Sequence, residues 1–171
     1  MQQIKWFDRK FKFPDEQNVF PSIIERLSGT PIRLVDKISK IQDVNMTAKI
    51  ENSWSIADNI GHLIDLEPLW LGRLEDILND KEELRYADLE NTKTDQANHN
   101  SRNIDALLKE FAKIRNETIT KLEALNEKEI YKYASHPRLK TPMRIIDLFL
   151  FVAEHDDHHL ARITEINKLI K

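Results

Sequence analysis

Three of the chain's six histidines fall within five residues, in the run Glu154-His155-Asp156-Asp157-His158-His159. Neutral imidazole is a good ligand for borderline divalent metals and titrates close to neutrality. Around this run Ile145, Leu148, Val152, Ile163, Ile166 and Ile170 recur in steps of three and four, the spacing of one helical face. His155 and His159 sit on that face. A buried polar group without a partner costs about 1–3 kcal/mol, so an inward imidazole must be satisfied. Two of them at i and i+4 aim at one place and can share a cation. His158 lies roughly 60–100° off on the wheel and reads as solvated or as an outer neighbour of the site.

A site inside a helical bundle needs ligands from a facing helix. His62 is the best candidate, in a stretch whose Ile56, Ile60, Leu63, Trp70, Leu74 and Ile77 mark another amphipathic helix. Two readings of it stand: a ligand, or a boundary histidine satisfied by water. Glu67 falls between Leu63 and Trp70 on the buried face, where a carboxylate needs a histidine, tryptophan, arginine or backbone partner. No catalytic residue is fixed by pattern alone. Asp156 and Glu67 are the carboxylates that could act as a base or as an acceptor orienting a ligand. His99, in a polar stretch, and His136, beside Pro137, read as surface residues.

Composition narrows the chemistry further. The 171 residues include no cysteine, which excludes disulfides, thiolate ligands and a cysteine nucleophile. Only 3 glycines argue against a many-turned β fold and against a glycine-rich phosphate cradle. A net charge of −3 does not point to nucleic acid as a partner. No uncharged apolar run reaches the ~18–20 residues that cross a bilayer, so no membrane partner is expected. The first fourteen residues mix Lys5, Arg9, Lys10 and Lys12 with Trp6, Phe7, Phe11 and Phe13, unlike a signal peptide. The expectation is a cytoplasmic protein with one domain over 1–171, its arm, residues 1–20, folding its aromatics onto the rest.

Four long segments carry helical periodicity, so the fold class is all-α and the natural architecture a four-helix bundle. The first, from Pro21 to Ile41, is interrupted by Gly29-Thr30-Pro31 and reads as two pieces or one kinked helix. The second opens at Ser55, with Asp58 completing a capping signal, and stops near Leu78. A long polar crossover, with room for a short helix, leads to the third, which starts at Ser101 or Asn103. After a loop over 126–140, Thr141 and Pro142 are expected as N-cap and first residue of the last helix, which runs to Leu169.

The segment Trp54-Ser55-Ile56-Ala57-Asp58-Asn59-Ile60-Gly61-His62-Leu63, followed by Glu67, resembles the start of helix two in the DinB-like (YfiT) superfamily. Glu154-His155-Asp156-Asp157-His158-His159-Leu160-Ala161-Arg162-Ile163 resembles that family's H-x-x-x-H helix four. Order and separation match over nearly the whole chain. The resemblance implies an up-down-down-up bundle that forms a homodimer. It also implies a divalent metal, nickel or zinc first and iron or manganese as alternatives, held by His62, His155 and His159 with positions left open. Many members carry glutamine where Arg162 stands and glycine near Ala161.

Two functional classes follow. One is a metal-dependent enzyme acting on a small molecule, similar to the family's thiol S-transferases or to a hydrolase. In a chain with no cysteine, a low-molecular-weight thiol would come from outside. The other is a metal-stabilised, non-catalytic stress-response or binding module, in which Glu67 or Asp65 would close the site as a fourth ligand. His155-Asp156-x-x-His159 imitates a zincin helix. A peptidase is disfavoured, because the residues after His159 hold one carboxylate, Glu165.

Overall fold

The computed structural model describes residues 3–15, 17–51 and 53–170. Its main elements are α1 (Phe20–Ile38), α2 (Ile56–Leu78), α3 (Thr92–Gln96), α4 (Ile104–Glu123), β1 (Tyr133–Ser135), β2 (Pro142–Arg144) and α5 (Ile145–Ile170). Side-chain pairs fix the direction of each long helix. Arg26, Arg33 and Lys37 of α1 meet Glu154, Asp157 and Thr164 of α5 in that order, so these two run parallel. Asn59 of α2 reaches His159 while Trp70 packs on Phe151, so α2 runs against α5. Glu67 and Glu75 of α2 pair with Arg115 and Lys121 of α4, again in parallel. The bundle is therefore up-down-down-up, with α1 and α2 each packed on both α4 and α5.

This topology explains the long crossover. Consecutive parallel helices require the chain to return the length of α2, roughly 34 Å at ~1.5 Å per residue. Residues 79–103 make that return along α2, with α3 inside them and Asp80, Asn91 and Asn98 turning the chain at positive φ. Aspartate and asparagine tolerate that region because their short side chains bond locally.

Capping at the head of α2 is as the sequence indicates. Ser55 Oγ accepts from the Asp58 amide at 3.0 Å, and the Ser55 amide donates to Asp58 Oδ2 at 3.1 Å. α4 begins at its Asn103 cap, whose side chain accepts from the Ala106 amide at 3.1 Å. The Gly29-Thr30-Pro31 segment does not break α1, which is one helix ending at Ile38. Pro31 has no N–H to give to Leu27 four residues back. The carbonyl so released takes a bond from Arg115 at 3.5 Å.

One expectation fails. Thr141 and Pro142 do not open the last helix: Pro142–Arg144 pairs antiparallel with Tyr133–Ser135, and α5 starts at Ile145. Hairpin pairing sets Ala134 opposite Met143 and buries both in the core. Asp147 then accepts from the Arg144 amide at 3.0 Å at the start of the helix.

Two apolar clusters fill the bundle, one around Trp70, Leu74, Phe149 and Val152, the other around Leu34, Ile60, Phe111 and Ile163. Between them lies a buried polar layer from all four long helices, in which the candidate site sits. The arm lays Trp6, Phe11 and Phe13 on the first cluster, while Phe7 stays exposed.

Candidate metal centre

Elementary helix geometry brings the three histidines together. His155 and His159 are one turn apart on the inner face of α5, and His62 faces them from antiparallel α2. One ring nitrogen from each lies within 4.8 Å of the others, and all three residues are buried. The Nε2 atoms of His155 and His159 are 3.2 Å apart. That is close to the ~3.3 Å edge of a tetrahedral centre with nitrogen ligands at ~2.0–2.1 Å.

Neighbouring groups dictate the tautomers. The Asn59 amide nitrogen donates to the Ser55 carbonyl at 2.7 Å, so its Oδ1 accepts from His159 Nδ1 at 2.8 Å. Thr94 Oγ1 donates to Asp65 Oδ2 at 3.0 Å, and so it accepts from His62 Nδ1, also at 3.0 Å. Both rings therefore present an unprotonated Nε2 to the centre. His155 Nδ1 is buried with no partner among the described residues. Burial pushes the His62 pKa down to about 4. His155 and His159 are held well below their ordinary value by burial and then by the neighbouring histidines. His159 Nε2 accepts from His155 Nε2, a proton that a metal would displace. Three neutral imidazoles so converging fit a borderline divalent cation, and His62, His155 and His159 are the residues that would hold it.

The candidate carboxylates are engaged elsewhere. Glu67 and Asp156, both fully buried, flank Arg115 of α4 in a double ion pair. Arg115 Nε donates to Glu67 Oε1 at 2.8 Å, Thr118 donates to Glu67 Oε2 at 2.6 Å, and Thr30 donates to Asp156 Oδ2 at 2.9 Å. Burial penalises the Arg115 charge, but Asp156 and Glu67 outweigh it and raise its pKa above the usual arginine value. Of the partners open to Glu67 in the sequence, arginine is the one realised. Asp65 is likewise held by Thr94 and by His99 Nε2 at 2.8 Å. Among the described residues, the group of candidate ligands is the three histidines alone.

The three histidines line a cavity of about 480 Å³ walled by Trp6, Trp54, Leu66, Leu69, Trp70 and Phe151. The Trp54 ring lies 4.6 Å from that of His62, and Trp6 meets His155 edge-on at 4.9 Å. His158 is half-buried and also reaches the cavity, its ring 5.5 Å from that of His159. Arg162 lines it too, bonded to Glu165 at 2.6 Å.

Two expectations about histidines are corrected. His99 is not on the surface: it is 2% exposed, and its ring lies on Gly61, where an added Cβ would come within 2.2 Å of it. His136 is 6% exposed and lines the cavity, its Nδ1 accepting from the amides of Arg138 and Leu139 at 3.2 Å each. The crossover and the hairpin loop fold back over α2 and bury them. Arg115, Asn59 and Thr94 carry no motif of their own. Arg115 does stand at core spacing from Phe111, Thr118 and Leu122, the same signal that marks Glu67.

No curated protein is significantly similar to the chain in sequence. Among solved structures, YfiT from Bacillus subtilis superposes with a TM-score of 0.80 at 19% identity, covering 95% of this chain and 93% of that one. YfiT is described as a probable metal-dependent hydrolase with an unusual four-helix bundle topology. A protein from Streptococcus pneumoniae gives 0.69 at 11% identity, over 93% and 95% of the two chains. The colibactin self-resistance protein ClbS, solved in complex with double-stranded DNA, gives 0.66 at 13% identity, over 90% and 98%. At these identities the likeness concerns the fold. Residues 15–163 match the family as a sequence, and on that match, with the bundle and its buried histidines, the chain belongs to the DinB superfamily.

Proposed function

We propose that this chain is a divalent-metal-dependent enzyme acting on a small molecule, as a hydrolase or a thiol S-transferase. The observation that carries the reading is the convergence of three neutral imidazoles at the wall of an apolar cavity, with no carboxylate completing the set among the described residues. Three protein ligands and an adjoining space are the pattern of catalytic sites, whereas structural sites are closed by a fourth ligand. A bound zinc or nickel ion would supply Lewis acidity, lowering the pKa of a coordinating water or thiol. The chain's own part is to hold the inward nitrogens of His159 and His62 unprotonated through Asn59 and Thr94, and to wall the site with Trp6, Trp54 and Phe151. With no cysteine in the sequence, a thiol nucleophile would be a cosubstrate.

The probable hydrolase activity ascribed to YfiT supports the same class. A net charge of −3 favours a small-molecule substrate over a phosphate backbone, despite the DNA bound to ClbS. No helix among the described residues is long and apolar enough to cross a membrane. A cytoplasmic location and a homodimer complete the reading.

The deciding experiment offers metal-loaded protein a panel of small esters and amides, and bacillithiol or glutathione with electrophilic acceptors. Turnover that needs the metal and is lost in His155→Ala supports the enzyme. A metal that raises the melting temperature without any turnover across the panel favours the structural site.

A further inference from the structure

The cavity has a second polar end. His62 and Arg73 are eleven residues apart on α2, three turns and roughly 16 Å along one face, and both line the cavity with Leu66, Leu69 and Trp70 between them. Arg73 is 2% exposed. Its Nε donates to the Arg85 carbonyl at 3.2 Å, and its guanidinium lies over the Trp70 ring at 5.8 Å. Among the described residues it forms no ion pair. Asp76, one turn on, is taken by Arg85, whose Nε and terminal nitrogen each donate to it at 2.9 Å.

His136 adds to this end. With Nδ1 accepting two backbone amides, its remaining ring nitrogen carries the proton and acts as a donor. Burial and the nearby Arg73 and Arg138 charges push the His136 pKa down to about 4, so it is neutral at pH 7. Burial also lowers Arg73, to about 10, which leaves it charged there. A buried, charged fork facing an apolar cavity calls for an anion, and arginine's planar donors suit a carboxylate's two oxygens.

We propose that this end is a carboxylate subsite: Arg73, aided by His136, takes the acid group of an elongated substrate whose apolar body lies along Leu66, Leu69 and Trp70. This rests on the cavity being the substrate site of the metal-dependent enzyme, and it narrows the substrate class to amphipathic carboxylic acids. One buried cation beside one neutral donor matches a single negative charge.

The test uses metal-free protein, so that no carboxylate binds a metal, with octanoate and octanol as probes. Quenching of Trp6, Trp54 and Trp70, which line the cavity, reports binding. Wild type is expected to bind octanoate at least about tenfold more tightly than octanol, the scale of a charged hydrogen bond. Arg73→Gln should erase the preference while leaving octanol affinity unchanged, which also shows the cavity intact. Arg73→Lys, the milder change should the first not fold, should keep part of it, and Arg138→Gln at the exposed mouth most of it. Equal binding of the two probes by wild type, no binding of either, or a preference that survives Arg73→Gln would overturn the subsite. Failure of the metal reading shows separately, as absence of metal uptake, and leaves this comparison untouched.

Discussion

Two of the three candidate ligand histidines, His62 and His159, depend on a partner that sets the proton. Thr94 is the clearest case, since its hydroxyl bonds Asp65 on one side and His62 on the other. Thr94→Val removes that link at nearly constant volume and frees the His62 ring to adopt the other tautomer. Metal affinity, measured by competition with a chelator, should fall about 10–100-fold, the usual effect of losing such a partner. Proton competition has a definite sign. The depressed pKa of His62 means that protons begin to displace a metal only as the pH falls towards about 4, not near the ordinary 6.5. Affinity should therefore stay nearly flat from pH 7 through 6, and a tenfold loss across that step would contradict the assigned burial. His155 and His159 were legible because the wheel puts them on an aliphatic seam. His99 and His136 were not, because their burial depends on where the crossover and hairpin loop travel, and irregular chain has no periodicity to read.

Between elements, the glycines do what composition only hinted at. Gly61 and Gly72, eleven residues apart on α2, make room for His99 and Arg85 of the crossover, whose side chains would lie within 2.2 Å and 1.9 Å of an added Cβ. Gly61→Ala should thus displace the His99 ring and weaken its bond to Asp65, at a cost of about 1–3 kcal/mol by urea denaturation. In a His99→Ala background the same substitution should cost much less, and an unchanged cost would show that Gly61 is not making room for that ring. The long helices and the crossover were readable from the 3.6-residue period and the capping residues at Ser55 and Asn103. The hairpin was not, because three-residue strands are too short to show alternation. Thr-Pro is also as good a turn as a helix start.

Across the whole molecule, one buried layer joins all four long helices: Thr30, Glu67, Arg115 with Thr118, and Asp156, beside the three histidines. Its ion pairs separate the two apolar clusters and fix the register of α2 against α5, on which the site depends. Removing one member leaves uncompensated charge, so Arg115→Met should destabilise the fold by about 3–5 kcal/mol. Adding Glu67→Gln and Asp156→Asn should restore part of that loss. The central claim, that His62, His155 and His159 form one metal centre, is tested most directly by titrating zinc or nickel into metal-free protein prepared without a metal-affinity tag. One ion per chain is expected, with stoichiometric uptake by wild type and loss of that uptake in each of His62→Ala, His155→Ala and His159→Ala while circular dichroism still shows the folded bundle. Uptake that is absent in wild type, or unchanged in any one of the three folded variants, would contradict it.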